Sequence, residues 1–173
     1  MYGHQWIRGE RGVNQVQSVL DEARKNPSSR RLLVDAWNAK DMDPKNALTA
    51  LPCCHYSYQL YIRDGRVSLQ YNMRSSDAFL GLPFNVASYA LLTHMYAHLL
   101  GMKVGELVHI SCDTHLYNGH LDAAREQISR TPNAFPTLGF ISSDRNTFES
   151  FTIGDFCIND YVPMGKISAD MYT

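Results

Sequence analysis

Arg74-Ser75-Ser76-Asp77-Ala78-Phe79-Leu80-Gly81-Leu82-Pro83-Phe84-Asn85-Val86-Ala87-Ser88-Tyr89-Ala90-Leu91-Leu92 is the stretch on which the reading of this chain turns. A polar, charged head leads into a Leu80-Gly81-Leu82-Pro83-Phe84-Asn85 turn, and Val86 to Leu100 follows as an apolar run. That run is too short to cross a membrane and carries Ser88, Thr93, His94 and His98, so it reads as a buried central helix. Upstream lie Cys54 and His55. A thiol attacks only as thiolate, and a neighbouring Arg or His favours that form. Cys54, His55, Arg74, Ser75 and Asp77 together suit covalent attack on an electron-poor ring that carries a phosphate. The plain alternative for Cys54 is a small buried apolar side chain.

Outward from that stretch, Val13, Val16, Val19, Leu20 and Ala23 recur at helical spacing, and Lys25-Asn26-Pro27 ends the helix because a residue before proline resists the α region. Arg31 to Trp37 reads as a strand, and Asn38 to Leu48 as a loop or short helix around Asp43-Pro44. Tyr56 to Ile62 and Arg66 to Met73 are two strands joined at Asp64-Gly65, where glycine accepts the positive φ of a tight hairpin. Glu106 to Ser111 predicts a strand and His120 to Ser129 a helix entered through Asn118-Gly119. Short strands are expected at Pro136 to Ile141 and Phe151 to Ile158. Helices and strands mix without a regular βαβ rhythm, which predicts an α+β fold with a mixed or antiparallel sheet. The chain opens on Met1-Tyr2-Gly3-His4-Gln5-Trp6, a start inside a structured element.

The chain has 173 residues, 45% hydrophobic and 19% charged, which fits one globular domain over residues 1–173 and excludes a disordered chain. A net charge of -1 without a basic block argues against binding nucleic acid by phosphate neutralisation. The four cysteines, Cys53, Cys54, Cys112 and Cys157, form neither a disulfide ladder nor a Cys-x-x-Cys metal pair. No signal peptide is visible, so a reducing cytosol is the expected location, with no metal and no membrane contact.

From Tyr2 to the tail the chain resembles the catalytic portion of the thymidylate synthase family. The resemblance is carried by Tyr2-Gly3-His4-Gln5-Trp6, Ser29-Arg30-Arg31, Ala36-Trp37-Asn38, Cys54-His55, the stretch Arg74 to Leu92, and Asp113-Thr114-His115-Leu116-Tyr117. It implies a mixed β-sheet packed with helices, one long and central. It also implies conversion of dUMP to dTMP, with 5,10-methylenetetrahydrofolate as cosubstrate and dihydrofolate as product. In that reading Cys54 adds to C6 of the uracil, Arg74 stands beside the thiol and grips the phosphate, and Ser75 donates to the same phosphate. Arg30 and Arg31 supply further phosphate contacts from the second subunit of a homodimer that packs sheet against sheet. Guanidinium forks suit phosphate better than ammonium does.

Asn85 offers an acceptor and two donors, which match uracil N3–H and O4; the cytosine-specific relatives place Asp there. Asn85 also serves as a plausible helix N-cap. His115 and Tyr117 are expected on the sugar 3′-hydroxyl. Tyr2 and His55 are expected to line the base pocket, Tyr2 aiding proton transfer at C5. Asp77, Leu80, Gly81 and Phe84 are expected to meet the folate, with Asp77 also among the catalytic residues.

The sequence departs from the family pattern in five places. A portion of the family chain before Tyr2, which carries a phosphate Arg, a Glu that organises relay water and Trp residues beside the folate, is not in this sequence. The chain is therefore expected to be a truncated product, a fragment or one half of a split enzyme, completed by a separate chain. Cys53 stands where Pro is common, as an extra thiol near the nucleophile. Met73 replaces a Gln of the base pocket, Ser111-Cys112 replaces Gly-Gly, and the tail ends in Asp170-Met171-Tyr172-Thr173 instead of a small apolar closing segment. Two further readings stay open: water capture of the methylene intermediate to give 5-hydroxymethyl-dUMP, and a non-catalytic remnant that binds nucleotide or a partner chain.

Overall fold

The computed structural model describes residues 2–9, 12–43, 45, 52–141 and 144–172. Pro44 and residues 46–48 of the expected loop, Met1 at the start and Thr173 at the tail lie outside the described residues. The architecture is α+β. Helix α1 spans Tyr2–Arg8, α2 Gln15–Lys25, α3 Gly81–Leu99 and α4 Leu121–Ser129. Strands β1 (Leu33–Asp35), β2 (His55–Arg63), β3 (Arg66–Asp77) and β4 (Lys103–His115) form one sheet in that order. Strands β5 (Thr137–Phe140) and β6 (Phe156–Asn159) form a separate antiparallel pair. The large sheet is mixed: β1–β2 and β2–β3 are antiparallel, whereas β3–β4 are parallel and joined through α3. One βαβ crossover thus sits inside a sheet otherwise built from neighbouring hairpin and edge strands.

Local chemistry explains most of these elements. Helix α2 starts at the Asn14 cap, whose side chain accepts the Gln17 N–H at 3.0 Å, so Val13 lies before the helix and is exposed. Its buried stripe is Val16, Val19, Leu20 and Ala23, as the spacing predicted. The β2–β3 hairpin turns at Asp64 (φ 51°) and Gly65 (φ 69°), both in the left-handed region. Strand β4 begins at Lys103, three residues before the predicted Glu106, and runs on to His115 because it pairs along the length of β3, with one register shift between Val67 and Leu69.

Several expectations are corrected. Leu80 to Asn85 is not a turn but the opening of α3, which begins at Gly81, five residues before Val86. Asp77 Oδ1 accepts the N–H groups of Phe79 (2.9 Å) and Leu80 (3.3 Å) and so fixes the turn that leads from β3 into the helix. Pro83 breaks nothing there, because N–H groups of the first turn have no helical acceptor. Asn85 is consequently inside the helix and is not its N-cap. Nor is α3 buried all round: Tyr89, Thr93, Tyr96, Ala97 and Leu99 are buried, while Phe84 is 75% exposed. The Arg31 to Trp37 strand shrinks to Leu33–Asp35. Phe151 to Asp155 consists of a 3-10 turn and its flank, Thr152 N–H and hydroxyl both bonding Asp155 Oδ2, and only Phe156–Asn159 is strand.

One face of the sheet packs against α2 and α3. Val34, Tyr58, Leu60, Ile62, Val67, Leu69, Tyr71 and Met73 meet the buried stripes of both helices in a single cluster. The opposite face carries Leu33, Tyr61, Val108 and Ile110 exposed. At the centre of the core, Tyr58 and Tyr96, each 0% exposed, join hydroxyls at 2.9 Å. Burial holds both phenols neutral, well above their usual range. Tyr58→Phe leaves Tyr96 Oη with only the Val16 carbonyl at 3.5 Å. The expected cost is about 1–2 kcal/mol, read as a lower urea midpoint with an unchanged m-value; an unshifted midpoint means the pair contributes nothing.

Candidate active site

The residues singled out in the sequence gather where the carboxyl ends of β3 and β4, the start of β2 and the first turn of α3 meet. In a sheet with parallel strands, that end is where ligands commonly bind. Register places them: His55 is opposite Met73, Ser75 beside Asp113 and Asp77 beside His115.

Cys54 is half-buried just before β2. Its backbone is held from two sides: its N–H donates to Tyr2 Oη at 3.0 Å, and its carbonyl accepts the Arg74 N–H at 2.9 Å. The Arg74 guanidinium grips the same segment. Nε donates to the Cys53 carbonyl (2.9 Å), Nη2 to the Pro52 carbonyl (2.8 Å), and Nη2 also faces Cys54 Sγ at 3.8 Å. Arg74 thereby anchors the loop and presents its charge to the sulfur in one geometry. Cys53 turns inward instead; it is 6% exposed, its thiol reaches the Ala36 carbonyl at 3.5 Å, and burial raises its pKa. The extra thiol is therefore kept apart from the nucleophile position. Met73 likewise belongs to the core.

His55 is wedged among aromatic rings. Tyr2 stacks on its face, centroids 3.6 Å apart at 17°, and Trp6 meets it edge-on at 6.2 Å. Its Nδ1 lies 2.7 Å from Tyr89 Oη, and Tyr89 in turn stacks on Tyr71 at 4.0 Å. Burial pushes the His55 pKa down from 6.5 to about 4, so the ring is neutral at pH 7. Burial also raises the Tyr2 phenol, which keeps its proton.

Asp77 closes β3 and, besides fixing the turn into α3, stands 4.0 Å from Nδ1 of the fully buried His120. Gly81 lies between Asp77 and Asn85: a methyl group there would stand in ordinary contact with Asp77 Cβ at 3.4 Å and Asn85 Nδ2 at 3.8 Å. Leu80 and Phe84 line a cavity of about 560 Å³ together with Phe79, Arg130, Tyr161 and Met164. His115 ends β4 with Nδ1 3.6 Å from Asp113 Oδ1, and its ring meets Tyr117 edge-on at 5.0 Å.

Arg30 and Arg31 are not brought to this site. Arg30 lines a groove with Gln59 to Arg63 beside the hairpin, at the far end of β2 from Cys54. Six residue steps along β2 lead from His55 to Tyr61, roughly 20 Å at the rise of a strand. Sequence reasoning missed Tyr89 and His120. Tyr89 sits one helical turn after Asn85, so α-helical spacing from the site was the available signal. His120 had none, because only the fold sets it beside Asp77.

The sequence model of thymidylate synthase matches residues 1–173. The chain belongs to the thymidylate synthase family. It is 43% identical over 174 aligned residues to proteins named thymidylate synthase from two strains of Listeria monocytogenes, serotype 4b and serovar 1/2a. The corresponding protein of Listeria innocua serovar 6a is 43% identical as well. Each alignment covers 98% of this chain and 54% of the relative, so the chain spans about half the length of these curated relatives. The α+β fold with its mixed sheet agrees with membership of the family. Among the described residues no helix is long and apolar enough to cross a membrane, and no cluster of three His, Cys, Asp or Glu forms a metal site.

The depressed His55 pKa has a sign that can be checked. The unfolded chain takes up a proton near pH 6.5, whereas the folded ring resists until about pH 4. Stability contributed by the neutral ring is therefore complete above pH 6.5 and falls as the pH drops toward 4. His55→Asn is expected to flatten that segment of a urea-midpoint profile; parallel profiles for the two proteins would place the ring in solvent.

Proposed function

We propose that the protein containing this chain is a thymidylate synthase, which methylates dUMP reductively to dTMP through a covalent bond between Cys54 and the pyrimidine. The observation that carries the reading is the clamp on Cys54: Arg74 holds the Pro52–Cys54 backbone and faces the sulfur at 3.8 Å, while Tyr2 holds its N–H.

In this reading the sulfur adds to C6 of uracil, and the C5–C6 electron pair moves to C5 and O4. C5 then bonds the one-carbon unit. Loss of the C5 proton breaks the bond from that carbon to the folate nitrogen and leaves an exocyclic methylene. Hydride from the tetrahydrofolate adds to the methylene as the sulfur leaves, giving the methyl group, dihydrofolate and a restored C5–C6 double bond. The folate, 5,10-methylenetetrahydrofolate, supplies that carbon and the hydride that reduces it. The protein's own residues bind and orient. Arg74 meets the phosphate through the guanidinium N–H groups not given to the Pro52 and Cys53 carbonyls, and Ser75 donates to the same phosphate. Neutral His55 and Asn85 address the base; the Asn85 carboxamide accepts from N3–H and donates to O4. Tyr2 lies stacked on His55 with its hydroxyl against the Cys54 N–H, which sets it beside the base, where it aids proton transfer at C5. His115 and Tyr117 meet the sugar 3′-hydroxyl. Asp77, Leu80, Gly81 and Phe84 receive the folate, for which the cavity beside Leu80 and Phe84 offers both apolar side chains and, in Arg130, a partner for its carboxylates.

Two features support a homodimer in which Arg30 and Arg31 serve the partner's phosphate site. Arg30, next to Arg31 in sequence, lies far from Cys54 of its own chain, and the uncovered sheet face presents Leu33, Tyr61, Val108 and Ile110.

The direct test is trapping with 5-fluoro-dUMP and 5,10-methylenetetrahydrofolate. The fluorine cannot leave as a proton does, so the ternary adduct is expected to accumulate on Cys54 and to disappear in Cys54→Ser. An adduct on Cys53, or none in the full-length protein, overturns the assignment. Asn85→Asp is expected to move the kcat/KM ratio from dUMP toward dCMP by a factor of ten or more, about 1.4 kcal/mol in differential binding. An unchanged ratio removes Asn85 from base recognition.

A further inference from the structure

The end of the described chain is docked against the residues assigned to the sugar. The Tyr172 ring lies over Tyr117 with centroids 5.0 Å apart at 36°, and against His120 at 5.1 Å and 48°. Two residues earlier, the Asp170 carbonyl accepts a hydrogen bond from His120 Nε2 at 2.7 Å. A carbonyl only accepts, so Nε2 carries the proton, and the ring, 0% exposed, is fixed in its plane. Its Nδ1 is buried without a hydrogen-bond partner and points toward Asp77 at 4.0 Å.

Gly119 makes this docking possible. A methyl group at that position would collide with Tyr172 Oη and stand 2.9 Å from Cζ. Backbone conformation does not demand the glycine, for Gly119 is not among the residues of positive φ. What the missing side chain provides is space, and the space is filled by the Tyr172 phenol.

Tyr117 is thereby enclosed by three rings: His115 edge-on at 5.0 Å, His120 edge-on at 5.6 Å, and Tyr172. The first two belong to β4 and to the turn before α4, both fixed by the body of the fold. Only the third comes from the tail.

We propose that Tyr172, seated in the notch left by Gly119, is a positioning residue for Tyr117, so that the docked tail sets the phenol meant to meet the nucleotide's 3′-hydroxyl. The proposal rests on the reading of Tyr117 as the sugar contact. With Tyr172 removed, Tyr117 gains freedom that must be lost again when it bonds the hydroxyl, and a ligand pays that ordering cost in affinity. A ligand without the hydroxyl has no such bond to form and is indifferent to the loss.

The test compares dUMP with 2′,3′-dideoxy-UMP in the full-length protein, for wild type, Tyr172→Ala, Tyr172→Phe and Gly119→Ala. Tyr172→Ala is expected to weaken dUMP roughly threefold to tenfold and the dideoxy nucleotide less than about twofold, so discrimination between them falls. Tyr172→Phe keeps the ring and is expected to keep the discrimination. Gly119→Ala, which unseats the ring without touching Tyr172, is expected to match Tyr172→Ala, and the double variant to be no worse than either. If Tyr172→Ala weakens both nucleotides equally, or neither, the positioning role is overturned while the site reading stands. If the wild type itself binds the two nucleotides equally, the sugar contact at Tyr117 is wrong and the proposal falls with it.

Discussion

One guanidinium holds the site together. Arg74 donates to two successive backbone carbonyls, those of Pro52 and Cys53, and its own N–H meets the Cys54 carbonyl. Charge-assisted bonds of this kind are short and directional. They fix the loop before β2 to the end of β3, so the sulfur sits where β2, β3 and α3 converge. Removing the charge would release the loop and leave two carbonyls without donors. Anchoring and presentation of charge therefore cannot be separated at this residue.

Around that anchor the sheet divides its faces. One face is committed to α2 and α3 through an unbroken set of apolar residues, and it supplies the rigidity on which distances of a few tenths of an ångström depend. The other face is uncovered and partly apolar, and Arg74 and Trp37 border a groove of about 540 Å³ on it. The site thus lies at the border between the packed core and the open face of the sheet. The remote position of Arg30 has the same origin: it follows α2 to the hairpin end of the sheet and leaves the sulfur at the other end.

The aromatic residues take two roles that the sequence does not separate. Tyr58 and Tyr96 hold the interior of the core. Tyr89, from the same helix as Tyr96, instead reaches His55 and connects the core to the site through Tyr71. Only neighbours distinguish these residues, since all are tyrosines at helix or strand positions that face inward.

Sequence alone determined the parts governed by local rules. Helix α2 followed from apolar spacing and Pro27, the β2–β3 hairpin from Asp64-Gly65, and the pairing of Cys54 with Arg74 from the resemblance to one family. It misread the start of α3, because Gly81 and Pro83 signal a turn, yet both fit the first helical turn, whose N–H groups have no helical acceptor in any case. It also misjudged the extent of β4, whose ends are set by pairing with β3 and not by its own residues. Tertiary structure decided which cysteine faces Arg74, that Tyr89 addresses His55, that His120 stands between Asp77 and the tail, and that Arg30 lies at the far end of the sheet. Each of these is a contact between segments far apart in the chain, and such contacts are fixed by packing, for which no local pattern of residues provides a signature.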